Sequence, residues 1–222
     1  KFVYPLSGFI CLHGAVVTKG ERVILLAGDT GAGKSTLAMQ FLREGYSIAS
    51  DDSPLVAIHD GVCFVMSSLD ELSITESTLH LFPELSAYVR GVRDISGKLY
   101  ISRELMPTNR LALEPMRLTD YVVLQREQCA SPSLTPIDRT GVVGSILEEY
   151  MSIFSRLKIE GDCGYFAKVD QYTFDCLTQL LVGVNTSRLR YANDHLSSIA
   201  GLFEGGSLVE TGTQHAAQEP RC

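Results

Sequence analysis

The 222-residue chain reads as an α/β protein, a mixed sheet with flanking helices built around a phosphate-binding loop. Three observations predict this class. An apolar, strand-like run at residues 22–27 leads into Gly28-Asp29-Thr30-Gly31-Ala32-Gly33-Lys34-Ser35, which matches GxxxxGK[ST]. A helical pattern follows at once, with Leu37, Ala38, Phe41 and Leu42 at helical spacing. Strand-like and helix-like runs then continue to about residue 203, with 45% hydrophobic residues available for a core.

Residues 15–18 and 22–27 are β-rich runs separated by Lys19-Gly20-Glu21, the pattern of a hairpin. The spacing predicts a helix over 35–44 with Gly45 as its C′ stop. A short strand over 46–49 delivers Ser50-Asp51-Asp52 at its end. Residues 55–58 and 62–66 flank Asp60-Gly61, a type I′ turn signal. Strands are expected at 98–102 and 120–125, and Ser131-Pro132-Ser133 with Pro136 is expected to be loop. Val142, Ile146, Leu147, Tyr150, Met151 and Phe154 predict an amphipathic helix. Another helix is expected over 172–181, with Asp170 near its start, and a last strand over 184–191. Asn193 or Asp194 is expected to cap a final helix through Phe203. One catalytic domain over residues 1–203 and a disordered polar tail over 204–222 are expected.

A net charge of −7 argues against general affinity for nucleic acid or anionic membrane, since no cationic field would draw the chain to phosphate backbones. No apolar run reaches the ~18–20 residues of a membrane span. Cys11, Cys63, Cys129, Cys163, Cys176 and Cys222 form no C-x-x-C pair and match no zinc spacing. Reduced thiols and a cytoplasmic location are the expectation.

The phosphate loop carries the strongest chemical signal. Glycines allow positive φ and close main-chain approach to a phosphate. Loop amides and the helix N-terminus behind them make an anion cradle across Gly28–Thr36, and Lys34 would reach the β- and γ-phosphates of ATP. Ser35 would ligate Mg²⁺. A chance match in a chain of this composition is roughly 1%, so a turn that binds nothing is the weaker reading.

No good Walker B run of four apolar residues ending in a carboxylate is present; Cys63-Phe64-Val65-Met66 is apolar, but Asp70 follows too late. LSGGQ and NKxD motifs are missing too. Asp51-Asp52 stands close by instead, at the end of the strand after the loop helix. Were that strand beside the first, both carboxylates would emerge at the phosphate edge, facing opposite sides and free to differ in role. The bland alternative is a surface turn, Ser-Asp-Asp-Ser-Pro.

His13-Gly14, a hairpin, the phosphate loop, a helix ending Arg-Glu-Gly-Tyr and then Ser-Asp-Asp together resemble the catalytic domain of HPr kinase/phosphorylase. That family shares its nucleotide-binding core with phosphoenolpyruvate carboxykinases. The resemblance is dense over residues 11–58 and weaker beyond. It implies that His13 lies near the transferred phosphate, that Asp51 handles the acceptor proton, and that Asp52 stands near Mg²⁺. Transfer of this kind is mostly positioning and charge neutralisation, so Asp51 need not be a strong base. The Gly-rich signature of the bifunctional enzymes is reduced to Arg90-Gly91-Val92. The chain is more similar to the shorter HPr-kinase-like proteins of peptide-modification systems, including lasso-peptide clusters, which resemble serine kinases of precursor peptides. Lys98 matches a recurrent lysine there, and Lys98, Arg90 and Arg126 are candidates to hold phosphate or substrate charge.

The expected activity is an ATP- and Mg²⁺-dependent serine kinase acting on a peptide or small protein, in an oligomer if it follows its family. Two rivals are a nucleotide sensor or assembly module without transfer, and a small-molecule kinase. A carboxykinase is disfavoured by the short chain and the lack of a clear second metal site.

Overall fold

The computed structural model describes residues 9–67, 71–93, 97–107, 111–112, 114–156, 175–177 and 179–204. The start of the helix expected over 172–181, Asp70, Asp170, Cys163, Cys222 and the tail from 205 onward lie outside the described residues; residues 175–177 and 179–180 are helical.

The strands are β1 (Ile10–Cys11), β2 (Gly14–Lys19), β3 (Arg22–Ala27), β4 (Ser47–Ser50), β5 (Leu55–His59), β6 (Val62–Met66) and β7 (Glu71–Ile74). They continue as β8 (Val89–Arg93), β9 (Leu99–Ser102), β10 (Met116–Arg117), β11 (Asp120–Arg126), β12 (Ser133–Pro136) and β13 (Asn185–Tyr191). The helices are α1 (Lys34–Arg43), α2 (Glu76–Leu81), α3 (Arg139–Arg156), α4 (Leu196–Ile199) and α5 (Gly201–Glu204). A central six-stranded mixed sheet runs in the order β12-β13-β11-β3-β2-β4. A four-stranded sheet, β1-β5-β6-β10, and a three-stranded one, β7-β9-β8, accompany it.

Alternation along β2 and β3 builds two cores. Ala15, Val17, Ile24 and Leu26 face one side, where Leu37, Ala38 and Phe41 of α1 cover them. Val16, Val23, Leu25 and Ala27 face the other, against Val56 and Val65 of the four-stranded sheet and Val142 and Ile146 of α3. A sheet covered on both faces explains why these strands read as unbroken apolar runs. Asp60 and Gly61 have φ of 50° and 73°, as the type I′ reading of that turn requires.

Strand directions decide what reaches the loop. β11 and β13 run parallel to β3, so Arg126 and Tyr191 end at the same edge as Gly28. β2 runs antiparallel to β3, pairing Gly14 with Ala27 and putting His13 at that edge. A Cβ on Gly14 would stand 2.7 Å from the Leu26 carbonyl oxygen, so this close crossing needs glycine. β4 does not lie beside β3, the condition for placing its carboxylates at the phosphate edge; β2 stands between them. It is antiparallel to β2 and hence parallel to β3, so it still carries Asp51 to the phosphate edge.

Two further expectations are corrected. Ser133–Pro136 is an edge strand rather than loop, paired antiparallel with β13, and an edge is where a strand tolerates proline. Neither Asn193 nor Asp194 caps the final helix. The chain enters through a 3₁₀ turn, Asn193–His195, with no side-chain cap, and the helix is split into α4 and α5. At the sheet's opposite end the buried Asp120 is satisfied by Thr119 Oγ1 (2.7 Å) and Asn185 Nδ2 (3.1 Å), with Arg22 Nε at 3.4 Å. Among the described residues no helix is long and apolar enough to cross a membrane.

Candidate active site

Within Gly28–Thr36 the loop gives way to α1 at Gly33, its N-cap, which holds φ at 94° and offers no side-chain cap. The first helical amides are thus left for an anion, and no acidic side chain occupies that turn. Lys34 Nζ lies back along the loop, donating to the carbonyls of Gly28 (2.7 Å) and Asp29 (3.1 Å). Thr30, Gly31, Gly33, Lys34, Ser35 and Thr36 line one wall of a cavity of about 330 Å³. His13, Asp52, Lys98 and Arg126 line it from other elements.

The two aspartates part company at the end of β4. Asp51 Oδ1 accepts from Ser35 Oγ at 3.0 Å, and its Oδ2 accepts from the Ser73 amide at 2.8 Å. The next residue turns sharply: Asp52 has φ of 69°, and Ser53 N–H donates back to the Asp51 carbonyl at 2.9 Å. Aspartate tolerates this left-handed conformation better than most residues, and such turns collect at functional sites. The turn points the Asp52 carboxylate, 55% exposed, into the cavity beside His13, whose Nδ1 is 3.2 Å from Asp52 Oδ1. That Nδ1 also lies 3.2 Å from the Asp52 carbonyl. Both partners only accept, so Nδ1 carries the proton and donates.

The contacts of the two carboxylates thus differ from what the expected roles would suggest. Asp51 is the carboxylate bonded to the loop serine, and Asp52 is the one beside His13 at the cavity. Of the three expected cations, Lys98 and Arg126 reach the cavity. Arg90 does not line it; its Nη1 pairs with Glu71 Oε1 at 3.0 Å.

No family profile matches the chain. HPr kinase/phosphorylase from each of two strains of Limosilactobacillus reuteri is 29% identical over 103 residues, covering 46% of this chain and 29% of the relative. Over that stretch the chain is similar to HPr kinase/phosphorylase. It spans under a third of the length of the curated relatives it matches. Among solved structures, the Hpr(Ser) kinase/phosphatase of Coxiella burnetii aligns with a TM-score of 0.45 at 9% identity, over 88% of this chain and 93% of that one.

In this site, burial pushes the Asp51 carboxyl above its ordinary value of 3.8, and the Ser73 amide and Ser35 hydroxyl only partly offset it. The neighbouring Asp52 charge pushes the same way. A raised folded-state value means the folded chain holds this proton more tightly than the unfolded chain. The contribution of Asp51 to stability is therefore complete below its ordinary value and is lost as pH rises through the raised one. Melting temperature followed from pH 4 upward should fall less steeply in Asp51→Asn than in the parent; identical slopes would remove Asp51 as the cause.

Sequence reasoning missed two parts of this site. Ser73, Thr75, Ser77 and Thr78 form the wall facing the loop. A signal was available: Thr75 caps α2 by accepting from the Thr78 amide, and a threonine before Glu-Ser-Thr is a helix-start pattern. Tyr191 is the other. Its buried hydroxyl donates to the Ala32 carbonyl at 2.7 Å, and burial pushes its pKa up to about 12. A Cβ on Gly33 would meet that hydroxyl at 2.3 Å, so Gly33 and Tyr191 are matched. Tyr191→Phe leaves the Ala32 carbonyl without its donor, a cost of about 1–3 kcal/mol. An affinity for ADP about tenfold weaker is expected by titration calorimetry. A lower melting temperature with unchanged ADP affinity would make Tyr191 a packing residue only.

Proposed function

We propose that the protein is an ATP- and Mg²⁺-dependent phosphotransferase of the HPr-kinase-like type that moves the γ-phosphoryl group onto a serine hydroxyl of a peptide or small protein. One observation carries this reading: an anion-binding loop, a carboxylate on its serine and a carboxylate–histidine pair share one cavity edge. The loop amides and Lys34 would bind the triphosphate. Lys98 and Arg126, on the cavity wall, would offset charge that spreads over the moving phosphoryl group. Asp52 is assigned to accept the acceptor's proton, with His13 Nδ1–H holding its carboxylate in line.

Among the described residues no three His, Cys, Asp or Glu side chains cluster as a ready-made metal site. The donors still fit magnesium, which keeps several waters and takes one or two carboxylates plus substrate phosphates. Ser35 would hold the ion, with Asp51 behind it. When bound, Mg²⁺ would neutralise phosphate charge. The described residues that line the cavity are polar, charged or glycine, which favours a small polar acceptor such as serine.

Incubation with γ-labelled ATP, Mg²⁺ and serine-containing peptides should yield phosphoserine, located by mass spectrometry. Label retained only as ATP would leave a nucleotide sensor, and label on a metabolite would mark a small-molecule kinase. Asp51→Asn should raise the Mg²⁺ needed for half-maximal rate by about tenfold or more, as loss of a partner behind a metal ligand does. An unchanged Mg²⁺ requirement would take Asp51 away from the metal.

A further inference from the structure

The corner between β7 and α2 is tied to the phosphate loop twice. Asp51 bridges Ser35 Oγ (3.0 Å) to the Ser73 amide (2.8 Å), and Thr36 Oγ1 meets Thr78 Oγ1 at 2.8 Å. These bonds run to the two residues after Lys34, so the corner is held in place against the loop. It brings four hydroxyls into the cavity that Lys34 and Asp52 also line.

The four differ in exposure and in the bonds they make. Thr78 is 2% exposed and bonded to Thr36. Thr75 accepts from the Thr78 amide (3.2 Å) and bonds both the Thr78 hydroxyl (3.0 Å) and Ser77 Oγ (2.8 Å). Ser73 is part-buried in β7, where its amide serves Asp51. Ser77 is exposed, its hydroxyl bonded to Thr75, and it is a primary alcohol.

Resting on the phosphotransferase reading above, we propose that Ser77 is a self-acceptor, phosphorylated within the same chain from the bound triphosphate. A bond forms between Ser77 Oγ and the γ-phosphorus while the bond from that phosphorus to the β–γ bridging oxygen breaks. ADP leaves with the electron pair, and the hydroxyl proton passes to the Asp52 carboxylate and then to solvent. An acceptor fixed on the cavity wall needs no encounter, which removes the entropic cost a free peptide carries. The product adds about −1.5 to −2 charge in a cavity lined by Lys34, Lys98 and Arg126, where it competes with the next triphosphate. Modification would thus slow further turnover.

The full chain is incubated with γ-labelled ATP and Mg²⁺ without peptide, and the label is mapped by mass spectrometry. The expected result is up to about one phosphate per chain on Ser77, at a rate constant unchanged across a tenfold range of protein concentration. Ser77→Ala should abolish this label and Ser77→Thr should restore part of it, with melting temperatures confirming that both fold. A wild-type chain that phosphorylates added peptide, or hydrolyses ATP, yet leaves Ser77 unlabelled overturns the proposal and spares the phosphotransferase reading. So does label that persists in Ser77→Ala. A chain that binds ADP but transfers phosphate to nothing, water included, overturns both.

Discussion

Asp52→Asn is expected to lower kcat for transfer to a serine peptide by about 10²–10⁴-fold, the usual range for loss of a positioned proton acceptor. Nucleotide affinity should stay within a few-fold, because Asp52 stands at the cavity beside His13 while the loop amides and Lys34 are assigned to the triphosphate. The amide keeps the shape and can still accept from His13 Nδ1–H, so little structural loss is expected. Asp51→Asn is the matched control. Its defect should be relieved by excess Mg²⁺, whereas that of Asp52→Asn should not. Were the two variants to trade these behaviours, the roles first read from the sequence would stand and the assignment made from geometry would fall.

Lys34→Ala is expected to weaken ATP binding and transfer together, lowering kcat/KM by about 10²–10³-fold or more. Lys34 Nζ lies within hydrogen-bond reach of two loop carbonyls, so its loss touches loop geometry as well as charge. Lys34→Arg should not rescue it. The side chain is only 9% exposed, and a planar guanidinium does not fit where a compact ammonium lies against carbonyl oxygens. Titration with ADP and with ATP separates the effects: a Lys34 that serves the γ-phosphate costs ATP more affinity than ADP. Full activity in Lys34→Ala would falsify the phosphate-loop reading itself.

The parts of this site legible in the sequence are those whose chemistry closes within a few residues. The loop at Gly28–Thr36 is one. Its glycines, its lysine and the helix behind it need only their own spacing, and the turn at Asp60-Gly61 is legible for the same reason. The Asp51-Asp52 pair was legible as a pair, but its division of labour was not. Strand alternation left both assignments open, and the proposed assignment follows from a left-handed turn at Asp52 that separates the two side chains. Lys98, Arg90 and Arg126 looked alike as basic residues in the sequence. Arg126 reaches the cavity because β11 runs parallel to β3, while Arg90 is taken up by Glu71. The hydroxyl wall from Ser73 to Thr78 was missed because serine and threonine are common at turns and helix starts. Their meaning depends on what lies opposite.

By itself the sequence determined that a loop of the phosphate-binding pattern joins an apolar strand to a helix, that two acidic side chains follow at the end of the next short strand, and that a histidine precedes a hairpin. Only the tertiary structure decided that β2 separates β3 from β4, that Asp51 rather than Asp52 bonds Ser35, and that Tyr191 braces the loop from 159 residues away. The physical reason is range. Periodicity and turn chemistry act over a few residues, but which side chains meet at a sheet edge depends on strand order and direction, which the two buried cores fix together.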